Sequence, residues 1–207
     1  IPASSLSLES FADLFTSSFE NYFYSITMTA ATFAIKTRDE QLDLHHSVVL
    51  VLNDTPIGQA TLGLRGDKAW CGGFGIVLEQ RGKHFASALL AELVKQAREA
   101  GAKSFSLEVL QKNTVAQRLY ASAGLQRQRD LRLLQWKRDS DSSQEKRLEP
   151  LAIQPVNMPE VISNFYRLHP VSPAWQRDLP SLTLERNLLQ LTYTEQGKLQ
   201  GYALFTA

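Results

Sequence analysis

The sequence predicts an α/β fold of the α+β type. It consists of a mixed, mostly antiparallel twisted sheet with flanking helices and a central parallel βαβ unit, followed by a partial second lobe. Three observations carry this reading. Ser47–Val77 alternates apolar and polar residues across two tight turns, the pattern of an antiparallel meander. Phe85–Ala100 then carries apolar residues at helical spacing, and Ser104–Leu110 returns to strand periodicity, so strand, crossover helix and strand form a βαβ unit. After Trp136 the composition shifts, and an opening pattern like the first one recurs.

The bounds are simple. The chain has 207 residues, enough for one full α/β domain and part of another. A formal net charge of +1 implies no bulk attraction to nucleic acid or anionic membrane. The 43% hydrophobic content suits a packed core. The single cysteine, Cys71, excludes an internal disulfide and a multi-cysteine metal site, and it fits a reducing cytoplasm. No apolar run is long enough to cross a bilayer. Ile1–Ser5 has neither the basic region nor the apolar core of a signal peptide. It also lacks an initiator Met, so the chain is expected to be trimmed or to begin inside a longer protein.

The elements follow in order. Leu8–Tyr24 reads as an amphipathic helix or helix pair, with Phe11, Leu14, Phe15, Phe19 and Phe23 as core; Tyr22, Tyr24 and Glu20 are the candidates for a loop over a substrate pocket. Thr29–Leu42 is a second helix. His45 and His46 are adjacent and point apart on a strand, so they form no metal pair alone. Ser47–Leu52, Ile57–Leu64 and Ala69–Val77 are the meander strands. In the third, Gly72, Gly73 and Gly75 mark a bulge or a close approach that would splay the strand from its next neighbour. The turn from Leu78 to His84 delivers the chain into a helix, whose first N–H groups are left unpaired. With the helix dipole they make an anion site, and Arg81 and Lys83 add charge there. Gly101 caps this helix, Asn113 opens the next, and Gly124 ends it.

Arg81-Gly82-Lys83-His84-Phe85-Ala86 resembles motif A of the GNAT acetyltransferases, R/Q-x-x-G-x-G/A before a helix. His84 stands where that family usually has glycine. Leu107–Leu125 resembles motif B, with Asn113, Ala116, Leu119, Tyr120, Gly124 and Leu125 in place. The two motifs come in the family's order and separation, and the resemblance spans Leu8 to Trp136. It implies acetyl transfer from acetyl-CoA, as co-substrate and without a metal, to a primary amine on a small molecule or peptide. It implies a pyrophosphate on the backbone N–H groups of Arg81, Gly82, Lys83, His84, Phe85, Ala86 and Ser87. The pantetheine arm would run beside Ile76 and Val77 and contact Asn113, and Tyr120 would protonate the departing thiolate. The third strand offers no carboxylate as general base; Glu79, Glu108 and Glu20 stay open, and no base is named. Cys71 is expected to be a buried thiol. If residue 84 needs positive φ, His is costly and coenzyme affinity falls; if its φ is helical, the imidazole can lean on a phosphate. The alternative function is a non-catalytic acyl-CoA-binding module, a sensor or interaction domain; a third is an adaptor without cofactor.

The expected organisation is therefore an acetyltransferase-like domain over 1–136, a polar linker over 137–149, and a partial second lobe of the same kind over 150–207, without motifs A and B. In that lobe Leu151–Val156 reads as a strand and Pro159–Leu168 and Leu182–Leu189 as helices. Leu191–Thr194 and Gly201–Phe205 flank a turn. Gly201 aligns with Gly58, 143 residues apart (201 − 58), as in a tandem chain cut short in its second domain. An incomplete sheet has an open edge, which a homodimer or packing of the lobe on the first domain would cover.

Overall fold

The structure is a computed structural model that describes residues 1–132, 154–155, 157–186 and 188–206. It divides into two compact units, Ile1–Arg127 and Gln128–Ala207. The expected linker over 137–149 lies outside the described residues.

The first unit opens with a bridge from Pro2 to Val48. Helix α1 (Leu8–Ser18) starts where the Ser7 side chain accepts from Ser10 N–H. It ends six residues before Tyr24, and Asn21 at positive φ carries the chain away from the helix. Phe23 and Tyr24 are therefore exposed rather than part of a helical core face. Helix α2 (Ala30–Asp39) begins in a reciprocal Thr29–Thr32 capping box. Both helices bury aromatic rings, and Phe11 stacks on Phe33 at 4.6 Å between centroids.

Strands β1 (Val48–Leu52), β2 (Thr55–Arg65), β3 (Lys68–Ile76) and β4 (Ser104–Leu107) form one sheet in that order. The first three are antiparallel, and β3 and β4 are parallel, joined by helix α3 (Phe85–Glu99). Ala60, Leu62, Ala69, Cys71 and Ile76 meet Leu89, Leu93 and Ala97 of α3 in one core. The opposite face of β3 takes α1, and its glycines explain how. A Cβ on Gly73 would lie 2.6 Å from the Phe15 ring, and one on Gly75 would lie 2.6 Å from Ser18 O. These glycines serve the close approach of a helix. The bulge is real as well: Thr61 pairs Gly73 and Leu62 pairs Cys71, which leaves Gly72 unpaired on β3.

Helix α4 (Thr114–Ser122) follows β4, capped by Asn113 Oδ1 accepting from Ala116 N–H at 3.1 Å. Gly101 and Gly124 have φ of 85° and 86°, the left-handed conformation expected just past a helix end.

The second unit contains β5 (Gln154–Pro155), α5 (Met158–Leu168), the short α6 (Leu179–Leu182), β6 (Leu188–Glu195) and β7 (Lys198–Thr206). Its sheet runs β5-β6-β7, all antiparallel. The helix expected over Leu182–Leu189 is not formed. Helix ends at Leu182 and Leu188 already opens β6, because Leu188, Gln190 and Leu191 onward follow strand alternation with β-favouring Thr and Tyr.

The β1–β2 and β6–β7 hairpins share one register. Leu50 pairs Gly58, and the partners then skip to Val51–Pro56 and Leu52–Thr55. Tyr193 pairs Gly201, and the partners skip to Thr194–Leu199 and Glu195–Lys198. Both turns use two residues at positive φ, Asn53 and Asp54 in one and Gln196 and Gly197 in the other. Every β1–β2 pair, the bulge and the turn have a counterpart at the Gly58-to-Gly201 offset, and β6–β7 pairs on for three residues more.

Candidate active site

The site is built where β3 outlasts β4. Pairing between them runs from Lys68–Ser104 to Cys71–Leu107 and stops. From Gly72 to Ile76, β3 pairs only with β2 among the described residues. Val77 N–H donates to Ile57 O at 2.9 Å. By antiparallel alternation, the backbone groups of Ile76 and Phe74 then turn to the open edge. Of the two residues expected beside the extended arm, Ile76 faces the open edge, where Arg81 Nε takes its carbonyl at 2.9 Å, and Val77 spends its N–H on the sheet.

At the end of the slot the chain makes a 3-10 turn over Leu78–Gln80 and enters α3. Arg81 N–H is spent on Leu78 O and Ser87 N–H on His84 O. Between them the N–H groups of Gly82, Lys83, His84, Phe85 and Ala86 find no acceptor among the described residues. Five free amides at a helix N-terminus form a concave donor cluster suited to a phosphate group. Gly82 has φ of 77° and open space around it. His84 has φ of 65°, so the first alternative drawn from the sequence applies: this position takes the left-handed conformation with a side chain that resists it.

The two cations at the turn differ from expectation. Arg81 folds back, its Nε donating to Ile76 O at 2.9 Å and its Nη2 to Ser18 O at 3.1 Å. It ties the end of α1 to the open edge of β3. Lys83 Nζ donates to Gln80 Oε1 at 2.9 Å and stays exposed.

Tyr120 projects from α4 to the point where β3 and β4 part, its ring edge-on to Phe74 at 6.1 Å. Burial raises its pKa well above the ordinary tyrosine value, and neighbouring Cys71 and Tyr22 raise it further. Its hydroxyl has no hydrogen-bond partner among the described residues, so its proton is held and available. Cys71 is buried, and desolvation pushes its thiol up to about 12. An acid so weak is no nucleophile at neutral pH.

Three groups have partners that the sequence did not reveal. Glu108, one residue past β4, accepts from Trp70 Nε1 at 2.6 Å. The pair is 38 residues apart, and only the β3–β4 register brings it together. Glu40 of α2, paired with Lys36, lies near enough to interact with Glu108; its pKa is raised, mainly by burial. Tyr22 lies against the Asn113 side chain within hydrogen-bonding reach, and burial raises its pKa too. An aromatic pocket residue was legible at Tyr22, but its target was not. Among the described residues no cluster of three His, Cys, Asp or Glu could hold a metal ion, and no helix is long and apolar enough to cross a membrane.

A sheet split thus lies beside a helix N-terminus lined with amides, and the Tyr120 phenol stands over the split. Residues 8–125 match the model of the acetyltransferase (GNAT) family, and the chain belongs to that family; it is an acyltransferase. The fold is shared with a transcriptional regulator from Bacillus halodurans C-125 at 15% identity, covering 66% of this chain and 97% of that one, with a TM-score of 0.50. Also similar are the aminoglycoside 6'-N-acetyltransferase AAC(6')-Ig from Acinetobacter haemolyticus (14% identity, 67% and 98% coverage, TM-score 0.49) and the ribosomal-protein-S18-alanine N-acetyltransferase from Escherichia coli (19% identity, 56% and 70% coverage, TM-score 0.46). The comparison with curated proteins found no match.

Proposed function

We propose that this chain moves an acetyl group from acetyl-CoA to a primary amine by direct transfer, with Tyr120 as general acid to the coenzyme thiolate. The observation that carries the reading is the run of free amides from Gly82 to Ala86 beside the unpaired half of β3. Those amides suit the pyrophosphate, and the open edge, with the backbone of Phe74 and the N–H of Ile76, suits the amide-bearing arm as an added strand. Asn113 caps α4 through its Oδ1 and lies against Tyr22; its side-chain N–H₂ would turn from Tyr22 to that arm. The coenzyme supplies an activated acyl carbon and a thiolate leaving group.

The residues then have distinct tasks. The incoming amine must lose a proton before or as its nitrogen attacks the acyl carbon. Glu108 is the carboxylate favoured for receiving it, because Trp70 Nε1 orients it at the end of β4, where the strands part. As the C–S bond breaks, Tyr120 O–H donates to the sulfur. A phenol whose pKa is raised keeps its proton across neutral and mildly alkaline pH, so the acid is loaded in every cycle. Cys71 carries no covalent step in this scheme. A cytoplasmic setting fits its free thiol.

The second unit reads as a lobe of the same kind, with 1–136 as the catalytic domain and 150–207 as the repeat. The shared hairpin register, with its bulge and turn, supports this.

The test is calorimetric titration with coenzyme A and acetyl-CoA, followed by thiol release on an amine panel. Heat of binding with acyl-dependent thiol release is expected. No heat from either coenzyme form with folded protein overturns the reading, and binding without thiol release on any amine leaves a binding module instead.

A further inference from the structure

The segment between α1 and α2 carries an aromatic ladder that the acetyl-transfer scheme does not use. Phe15 and Phe19 lie 4.9 Å apart between ring centroids, and Phe19 and Tyr22 5.2 Å. Tyr22 then packs edge-on against both Phe23 at 5.1 Å and Tyr24 at 5.2 Å. The ladder starts in the core, where Phe15 is 3% exposed, and ends in solvent, where Phe23 is 51% and Tyr24 56% exposed. Its middle rung is at the reaction centre: Tyr22 lies against Asn113 and interacts with Tyr120. Rings that run from solvent to the reacting atoms form a wall along a substrate's path. The wall is tied down as well, since Arg81 holds Ser18 O at the end of α1 and Thr16 Oγ1 accepts from Met28 N–H at 2.9 Å across the base of the loop.

Charge gives the occupant. From Phe19 to Met28 the loop holds one acid, Glu20, and no lysine or arginine. Two further carboxylates, Glu40 and Glu108, lie near each other on this side of the sheet, and among the described residues Lys36 is closed onto Glu40. Aromatic faces and carboxylates attract an ammonium group and offer nothing to an anion. Exposed phenyl rings add area for an apolar body. We propose that Phe19, Tyr22, Phe23 and Tyr24 form the acceptor wall of this enzyme, and that the acceptor is a primary amine borne on an aromatic or apolar body, arriving as its ammonium form. This deepens the acetyl-transfer reading and rests on it. The ammonium meets the ring faces and gives up its proton at Glu108.

The experiment uses the full chain saturated with coenzyme A, with three probe amines titrated by calorimetry: 2-phenylethylamine, ethanolamine and kanamycin. Thiol release from acetyl-CoA is followed for each. The aromatic amine is expected to bind roughly tenfold more tightly than ethanolamine, which has the same charge and no ring. The Phe23→Ala/Tyr24→Ala double variant should erase that preference, mainly through KM, and leave coenzyme affinity unchanged. Both rings are exposed, so the variant keeps its fold, checked by thermal unfolding. Equal binding of the three amines, tighter kanamycin binding, binding of none, or a preference that survives the double variant overturns the acceptor assignment while coenzyme still binds. Failure of the parent protein to bind coenzyme overturns the acetyl-transfer reading first.

Discussion

Gly58 and Gly201 occupy the same place in two hairpins of the same register, yet their surroundings are opposite. A Cβ on Gly58 would meet Ile76 Cδ1 at 2.5 Å and Gly75 O at 3.0 Å; one on Gly201 would meet nothing within 4 Å. The first hairpin is packed on both faces and continues into β3, the 3-10 turn and α3. The second presents only its own three strands and helix α5 among the described residues. A meander is thus a platform without chemistry of its own. The chemistry comes from what is laid against it: a third strand that loses its neighbour halfway, and a helix whose first amides have no partner among the described residues.

The comparison can be broken or sharpened by substitution. The largest effect belongs to the group only the first unit supplies. Tyr120→Phe should lower kcat by on the order of 10²–10⁴-fold with coenzyme affinity unchanged by calorimetry. Because its pKa lies far above neutrality, the variant's pH–rate profile should fall without shifting along the pH axis. Gly58→Ala should cost roughly 1–3 kcal/mol in denaturant unfolding, since Ile76 must move and Gly75 O cannot.

Alkaline unfolding tests the packed core of the first unit. The Cys71 thiol is raised from 9.0 to about 12 by burial. Its contribution is fully present below about pH 9 and is lost as pH rises through its folded value, because only the unfolded chain ionises in that window. The slope is roughly 1.4 kcal/mol per pH unit. Cys71→Ala should flatten the stability profile between those limits, measured by unfolding at a pH series. His84→Gly should stabilise the first unit by about 1 kcal/mol by removing a side chain from a left-handed position. At the small end, Gly201→Ala should change stability by less than about 0.5 kcal/mol. A large loss there would mean that the two hairpins are packed alike, and the contrast would fail.

Much of this was legible in the sequence because it is local. The caps at Asn113, Gly101 and Gly124, the amphipathic stripe of α3 and the meander all follow from residue type and spacing. The bulge was legible in kind, though only the register assigns it to Gly72. What stayed hidden depends on distant partners. The reach of Arg81 to Ser18 O, 63 residues away, and the grip of Trp70 on Glu108 are products of strand register. The extension of the first helix to Tyr24 failed because aromatic spacing continues past Ser18 while the backbone turns at Asn21. Leu182–Leu189 misled because a leucine-rich stretch fits either period over so short a span.

The half of β3 left without β4 has a cost outside catalysis. The outward backbone groups of Phe74 and the N–H of Ile76, where β4 no longer runs beside β3, are a template on which a strand from another molecule can grow. The coenzyme, occupying that edge, would act as a chaperone of solubility as well as a reactant. Preparations stripped of it should therefore self-associate sooner on concentration than those kept saturated, a difference that light scattering would read directly.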